Sequence, residues 1–93
     1  MIRSFADRAT ERVWRRDRVP GLGVEVQRAA QKKLRLINPA TELNSLRIPP
    51  GNRLEKLSGD RAGQYSIRVN AQYRICFVWI DGGAEAVEIT DYH

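Results

Sequence analysis

A chain that closes on Asp91, Tyr92 and His93, with Arg68 and Arg74 in the strand-like stretches before them, holds side chains suited to breaking a phosphodiester without metal. RNA cleavage needs a base to take the 2′-hydroxyl proton, a cation to hold the charge gathering on phosphorus, and an acid to protonate the departing 5′-oxygen. Histidine, with an unperturbed pKa near ~6.5, serves in either proton-transfer role near neutrality. Arginine supplies a fixed charge on a planar fork that matches phosphate oxygens. Aspartate can orient the imidazole, and tyrosine can stack on a base or donate a proton. A lone histidine such as His93 is more often structural than catalytic, so placement in the fold must decide what this set does.

The rest of the composition agrees with an anionic partner. The net charge is +5, and thirteen of the sixteen basic residues are arginines. Residues 1–47 carry eleven bases against five acids, whereas residues 48–93 carry five against six, so the positive charge gathers in the first half. Such a face suits a polyanion, nucleic acid above all, although solvated basic faces also occur on ordinary domains. The one cysteine, Cys76, sits inside the apolar run "RICFVWI"; it supports neither a disulfide framework nor a Cys/His zinc site and reads as a small buried hydrophobe. No metal or cofactor is expected. No apolar run approaches the roughly 20 residues that cross a bilayer. The opening "MIRSFADRAT" lacks the apolar stretch of a signal peptide, so no membrane association and a cytoplasmic location are expected.

These residues must be positioned by one small domain spanning 1–93. Its first half reads as helical. "SFADRATERVWRR" opens on Ser4 with Asp7 three residues on, a variant capping box, and Phe5, Ala9 and Val13 recur at helical spacing with Arg8, Arg12, Arg15 and Arg16 outside. "RVPGLG" breaks this helix. A second is predicted from about Val24 to Ile37, with Val26, Ala30, Leu34 and Ile37 inward and Arg28, Lys32 and Arg35 outward. "NP" at 38–39 ends it, since the residue before a proline avoids helical geometry; "ATELNSL" is expected to add one short helical turn.

After "IPPGN" the period changes to two. "RLEKL" is short and alternating, "QYSIRVN" sets Tyr65, Ile67 and Val69 against Ser66, Arg68 and Asn70, "YRICFVWI" is apolar on both faces, and "AEAVEIT" closes the sheet. Ile2 and Arg3 are candidates for an added edge strand. The fold class is α+β: two N-terminal helices on a mostly antiparallel twisted sheet of about four to five strands.

Hairpin registers follow from keeping like faces together. A three-residue loop at Asn70–Gln72 pairs Val69 with Tyr73, Ile67 with Ile75 and Tyr65 with Phe77, and sets Arg68 opposite Arg74. Two arginines directly opposed repel unless an anion lies between them or both reach out to solvent. For the last hairpin a Gly82–Gly83 turn pairs Cys76 with Ile89 and Arg74 with Asp91, bringing Arg68, Arg74, Asp91 and His93 to one face. A three-residue "DGG" loop pairs Ile75 with Ile89 instead and moves Asp91 across the sheet. The residues alone leave both registers open.

The run "PPGNRLEKLSGDRAGQYSIRVNAQYRICFVWIDG", closing on "VEITDYH" and preceded by an "IRSFAD" start, resembles the HigB branch of the RelE superfamily of toxin–antitoxin toxins along essentially its whole length. The resemblance implies a RelE-like fold and a metal-independent, ribosome-dependent mRNA interferase that cuts messenger in the ribosomal A site and inhibits translation. It implies His93 as acid or base, Arg74 as phosphate clamp, and Asp91 as an orienting or proton-accepting carboxylate, with Tyr92 between them. Some relatives carry a histidine where this chain has Glu55, so that role falls to Glu55 or is shared with Lys56. Arg61 and Arg68 fall at basic positions and, with Arg53, Arg28, Lys32 and Arg35, would contact RNA, where backbone contacts give affinity without sequence readout. The implied partners are the 70S ribosome, mRNA and a helix-turn-helix antitoxin of the HigA kind, joined in a heterotetramer.

Two other functions fit a small basic domain. A ParE-like toxin of similar architecture poisons gyrase and needs no terminal histidine, so "DYH" argues against it. A non-catalytic ribosome- or RNA-binding module would occupy its site without cutting. Fragments cut within codons separate the first reading from both.

Overall fold

Alternation in the second half of the chain builds a four-stranded antiparallel sheet in the order β1 (Glu55–Lys56), β2 (Tyr65–Arg68), β3 (Tyr73–Ile80) and β4 (Gly83–Asp91). The computed structural model describes residues 1–92, and His93 lies outside the described residues. Helices α1 (Arg8–Trp14) and α2 (Val24–Ile37) precede the sheet, and short 3₁₀ turns at Leu43–Arg47, Pro50–Asn52 and Gly59–Arg61 link the parts. The α+β architecture is as expected. α2 has the predicted bounds, and "ATELNSL" forms the predicted short turn.

One face of the sheet makes the core. Ile67, Ile75, Phe77 and Val87 are fully buried together with Val13, Ala30, Leu34 and Ile37 from the helices. Each large aliphatic or aromatic side chain so removed from water contributes about 1.5–3 kcal/mol. Tyr65 stacks on Phe77 with ring centroids 6.5 Å apart, extending this layer along β2. α2 stops at Ile37 as predicted, but Asn38 keeps helical angles (φ −57°, ψ −47°). The ladder therefore ends because Pro39 has no N–H to donate, not because its predecessor leaves the helical region.

α1 differs from expectation. Its N-cap is Asp7, whose carboxylate accepts the Thr10 N–H at 2.7 Å, and not Ser4. Because the helix starts three residues later than predicted, its inner positions are Thr10 and Val13; Ala9 is exposed and Phe5 lies outside the helix. Residues 1–6 run instead along β4 as a parallel edge. Ile2 bridges Ala84 and Phe5 bridges Val87, with Arg3 N–H donating to the Ala84 carbonyl and Ala6 N–H to that of Val87. The edge strand expected at Ile2 and Arg3 is thus reduced to isolated bridges at Ile2 and Phe5, and the sheet proper keeps four strands.

The β2–β3 register is as predicted, including Arg68 opposite Arg74. Asn70 Oδ1 closes the loop by accepting the N–H groups of Gln72 (2.9 Å) and Tyr73 (2.7 Å). The β3–β4 turn is neither of the two considered: Asp81 and Gly82 occupy it, both with positive φ (48° and 74°), and Ile80 faces Gly83. Two positive φ values give a turn twisted in the sense of its strands, which Asp-Gly favours. The register then shifts by one, because Phe77 faces both Ala86 and Val87, and Ala86 takes the left-handed conformation (φ 52°) of a β-bulge. Beyond the bulge Ile75 faces Ile89, Arg74 faces Thr90 and Tyr73 faces Asp91, the pairing expected of the longer loop.

Candidate active site

Opposite the helices, registry lays two rows of side chains across the sheet. Glu55, Ser66, Cys76 and Glu88 form one; Arg68, Arg74 and Thr90 form the next. Ser66 and Cys76 are fully buried, so Cys76 is the small buried residue expected of it.

Arg74 does not reach out to solvent. It is 9% exposed, and its Nε donates to Ser66 Oγ at 2.7 Å while Nη2 donates to the Arg53 carbonyl at 2.7 Å. Glu55 Oε2 stands 3.8 Å from Nη2, with its carboxylate more than half exposed. A fixed guanidinium beside an accessible carboxylate gives one group to hold an anion and one to accept a proton. Arg53 adopts left-handed angles (φ 46°, ψ 57°) at the end of the Pro50–Asn52 turn, and its contact with Arg74 is made by its backbone. Lys56 follows Glu55 on the edge strand, exposed, opposite Tyr65.

Arg68 is half-buried and has neither an ion pair nor a side-chain hydrogen bond among the described residues. It adds to a positive field around Lys33. The Lys33 ammonium is held below its ordinary pKa by burial first, then by Lys32 and Arg68. Lys33 also donates to the fully buried Asn52 side chain at 2.5 Å, and its field links the arginines of the sheet with α2. Along α2, Arg28, Lys32 and Arg35 are all exposed, at the i, i+4, i+7 spacing of one helix face. Arg61 behaves otherwise: it pairs with Glu88 at 3.3 Å, and that hydrogen bond raises its pKa. Its charge is therefore balanced within the protein.

The register that would set Asp91 opposite Arg74, on the face of Arg68, is not the one adopted. The bulge at Ala86 puts Asp91 opposite Tyr73, on the other side of the sheet from Arg74, and Asp91 accepts from Gln72 Nε2 at 3.2 Å. Strand alternation brings Tyr92 to the Arg74 side. Its N–H donates to the Gln72 carbonyl at 2.6 Å, continuing the pairing past β4, and its phenol is close enough to Arg61 to act on it electrostatically. The role expected of His93 falls outside the described residues.

Ser66 and the Arg53 carbonyl were not singled out in the sequence, although a signal existed. The predicted register already makes Ser66 the diagonal neighbour of Arg74, within reach of a long side chain. A cleft of about 350 Å³ between α1 and α2, lined by Val13, Arg16, Val24 and Arg28 among others, shares no residue with the Arg74 cluster.

Two helices on one face of this four-stranded antiparallel sheet make an α+β fold that a solved complex shares. The YoeB–YefM complex from Staphylococcus aureus contains a chain that superposes with a TM-score of 0.58 at 20% identity, covering 100% of this chain and 95% of that one. Residues 3–93 match the HigB-like toxin family, described as RelE-like toxin of type II toxin–antitoxin system HigB. "Toxin HigB-1" of Vibrio cholerae serotype O1 is 40% identical over 88 residues, 90% of each chain. "Endoribonuclease HigB" of Proteus vulgaris is 32% identical over the full length of both. The chain belongs to the HigB-like toxin family, and its partner is accordingly an antitoxin. No helix among the described residues is long and apolar enough to cross a membrane.

Proposed function

We propose that this toxin is a metal-independent endoribonuclease that cuts mRNA in the A site of the 70S ribosome and so arrests translation in the cytoplasm. The observation that carries the reading is Arg74: a nearly buried guanidinium held by Ser66 and the Arg53 carbonyl, with the Glu55 carboxylate 3.8 Å away. The endoribonuclease relative from Proteus vulgaris supports the same chemistry.

In this reading Arg74 clamps the scissile phosphate and stabilises the charge that builds on phosphorus. Glu55 takes the 2′-hydroxyl proton, with Lys56 beside it to hold the backbone. His93, as the imidazole acid, protonates the 5′-oxygen. Tyr92, on the Arg74 side, stacks on a base of the codon. Asp91, braced through Gln72, orients the chain end. Arg28, Lys32 and Arg35 dock on ribosomal RNA with Arg53 and Arg68 nearer the cut, giving affinity that falls steeply with salt. Arg61, neutralised by Glu88, shapes the face more than it binds. The antitoxin is a HigA-like helix-turn-helix protein that joins two toxins in a heterotetramer.

The test is cleavage of messenger on translating ribosomes, mapped to the nucleotide. The wild-type protein is expected to cut within codons. Arg74→Ala is expected to lose about a hundredfold or more in the cleavage step, as for loss of one preorganised donor to a developing anion. Removing His93 alone is expected to abolish growth arrest in a folded protein. Undiminished cleavage by Arg74→Ala would reject the assignment, and gyrase-linked DNA breaks under continuing translation would replace it.

A further inference from the structure

A serine in the middle of a fully buried strand position needs an explanation, because a hydroxyl taken out of water costs free energy unless it is hydrogen-bonded. Ser66 has no exposed surface, and it lies between Glu55 and Cys76 in the row across the sheet. Packing there would be served by alanine or cysteine. What the hydroxyl does is accept the Nε–H of Arg74 at 2.7 Å, while the Ser66 carbonyl lies 3.5 Å from Nη2. The Arg53 carbonyl takes Nη2 at 2.7 Å. The Nε and Nη2 edge of the fork is thus held by protein. Nη1 has no hydrogen bond among the described residues.

We propose that Ser66 is the positioning residue for Arg74: with the Arg53 carbonyl it pins the inner edge of the guanidinium, so that the Nη1 edge is presented to the scissile phosphate. This rests on the reading of Arg74 as phosphate clamp. A free arginine side chain samples many rotamers, and ordering it on the substrate would oppose binding of the transition state; held in advance, it needs no reorganisation. The geometry also places the pin outside the reacting atoms. Ser66 touches Arg74 and not the RNA, so its contribution vanishes when Arg74 is no longer an arginine.

The experiment is single-turnover cleavage of ribosome-bound mRNA at saturating toxin, with Ser66→Ala, Ser66→Thr, Arg74→Lys and the Ser66→Ala/Arg74→Lys double variant. Ser66→Ala is expected to slow the cleavage step about tenfold to a hundredfold, the scale of a small misplacement of a reacting group, without changing the toxin concentration needed for saturation. Ser66→Thr, which keeps the hydroxyl, restores the rate. In the Arg74→Lys background Ser66→Ala is expected to cost nothing further, since lysine has no Nε–H for the serine to hold.

A readout independent of cleavage is the Arg74 Nε–H signal in ¹⁵N–¹H NMR, slow to exchange in the wild type and fast in Ser66→Ala. Should Ser66→Ala fail to fold, Ser66→Cys, close in volume with a weaker acceptor, carries the same comparison. Cleavage by Ser66→Ala at the wild-type rate, or an equal loss with and without Arg74, overturns the proposal. A wild-type protein that leaves ribosome-bound mRNA whole refutes the proposed function instead. The NMR signal then judges the restraint, and equal exchange in the wild type and Ser66→Ala overturns it.

Discussion

β3 is shared by two hairpins that reach their registers by different means. Its pairing with β2 is local: apolar residues meet apolar residues in every core-facing pair, and Asn70 closes the loop with its own side chain. Its pairing with β4 needs help from the other end of the chain. Ser4 Oγ accepts the N–H of Ala86, the bulge residue, at 2.9 Å, and Arg3 donates to the carbonyls of Ile80 (2.6 Å) and Asp81 (2.7 Å) in the turn. A Cβ on Gly83 would lie 2.7 Å from the Arg3 guanidinium, so glycine there serves the close approach of Arg3 and is a strand residue outside the turn. The side of the sheet on which Asp91 and Tyr92 fall is therefore set by a segment more than eighty residues away, while Arg68 and Arg74 are set by their neighbours.

The largest test of this difference is deletion of Glu88, beyond the bulge. Val87 and Ile89 then become neighbours in β4, and alternation lets only one of them face the core: Val87 if the bulge is held in place, Ile89 if it is not. Losing one such side chain from the core costs about 1.5–3 kcal/mol, a large fraction of the stability of a small domain. Chemical denaturation would show it. A cooperative transition with wild-type stability would mean that the core does not depend on the β4 register.

A smaller test separates the hairpins directly. Ser4→Ala leaves the Ala86 N–H without its protein acceptor, a loss of about 1 kcal/mol at most, since water can reach this edge. In hydrogen exchange the Ala86 amide is expected to lose protection, while Val69 N–H, bonded to the Tyr73 carbonyl at 2.9 Å, keeps it. Equal loss in both hairpins would show that they open as one unit.

The same contrast explains what was legible in the residues. α2, the β2–β3 register and the opposition of Arg68 and Arg74 rest on periodicity over neighbouring positions, which a sequence displays. The start of α1 was misplaced because Ser4 and Asp7 are both competent caps. Ser4 is drawn off by Ala86, a partner that no local pattern announces. The last hairpin was ambiguous for the same reason: Asp81, Gly82 and Gly83 all suit turns, and the choice among them is made by Arg3 and the bulge. Within the candidate site, Arg74 could be singled out from its type and register, and Glu55 from the family resemblance. Ser66 was not, because a serine on the polar side of an alternating strand looks like a solvated residue until the register buries it.

The finest test is one substitution made in both hairpins. Ala86 holds a left-handed backbone (φ 52°), which costs an L-residue with a Cβ about 1–2 kcal/mol. Glycine there removes that strain and adds about 0.5–1 kcal/mol of chain entropy to be lost on folding, so Ala86→Gly is expected to stabilise the protein by about 0.5–1 kcal/mol. Ala71 lies in the β2–β3 loop and is not among the residues with positive φ. With no strain to relieve, Ala71→Gly is expected to lose about 0.4–1 kcal/mol through the unfolded chain. Thermal melts of the two variants should move in opposite directions. If both fall, the left-handed backbone at Ala86 carries no strain that glycine relieves.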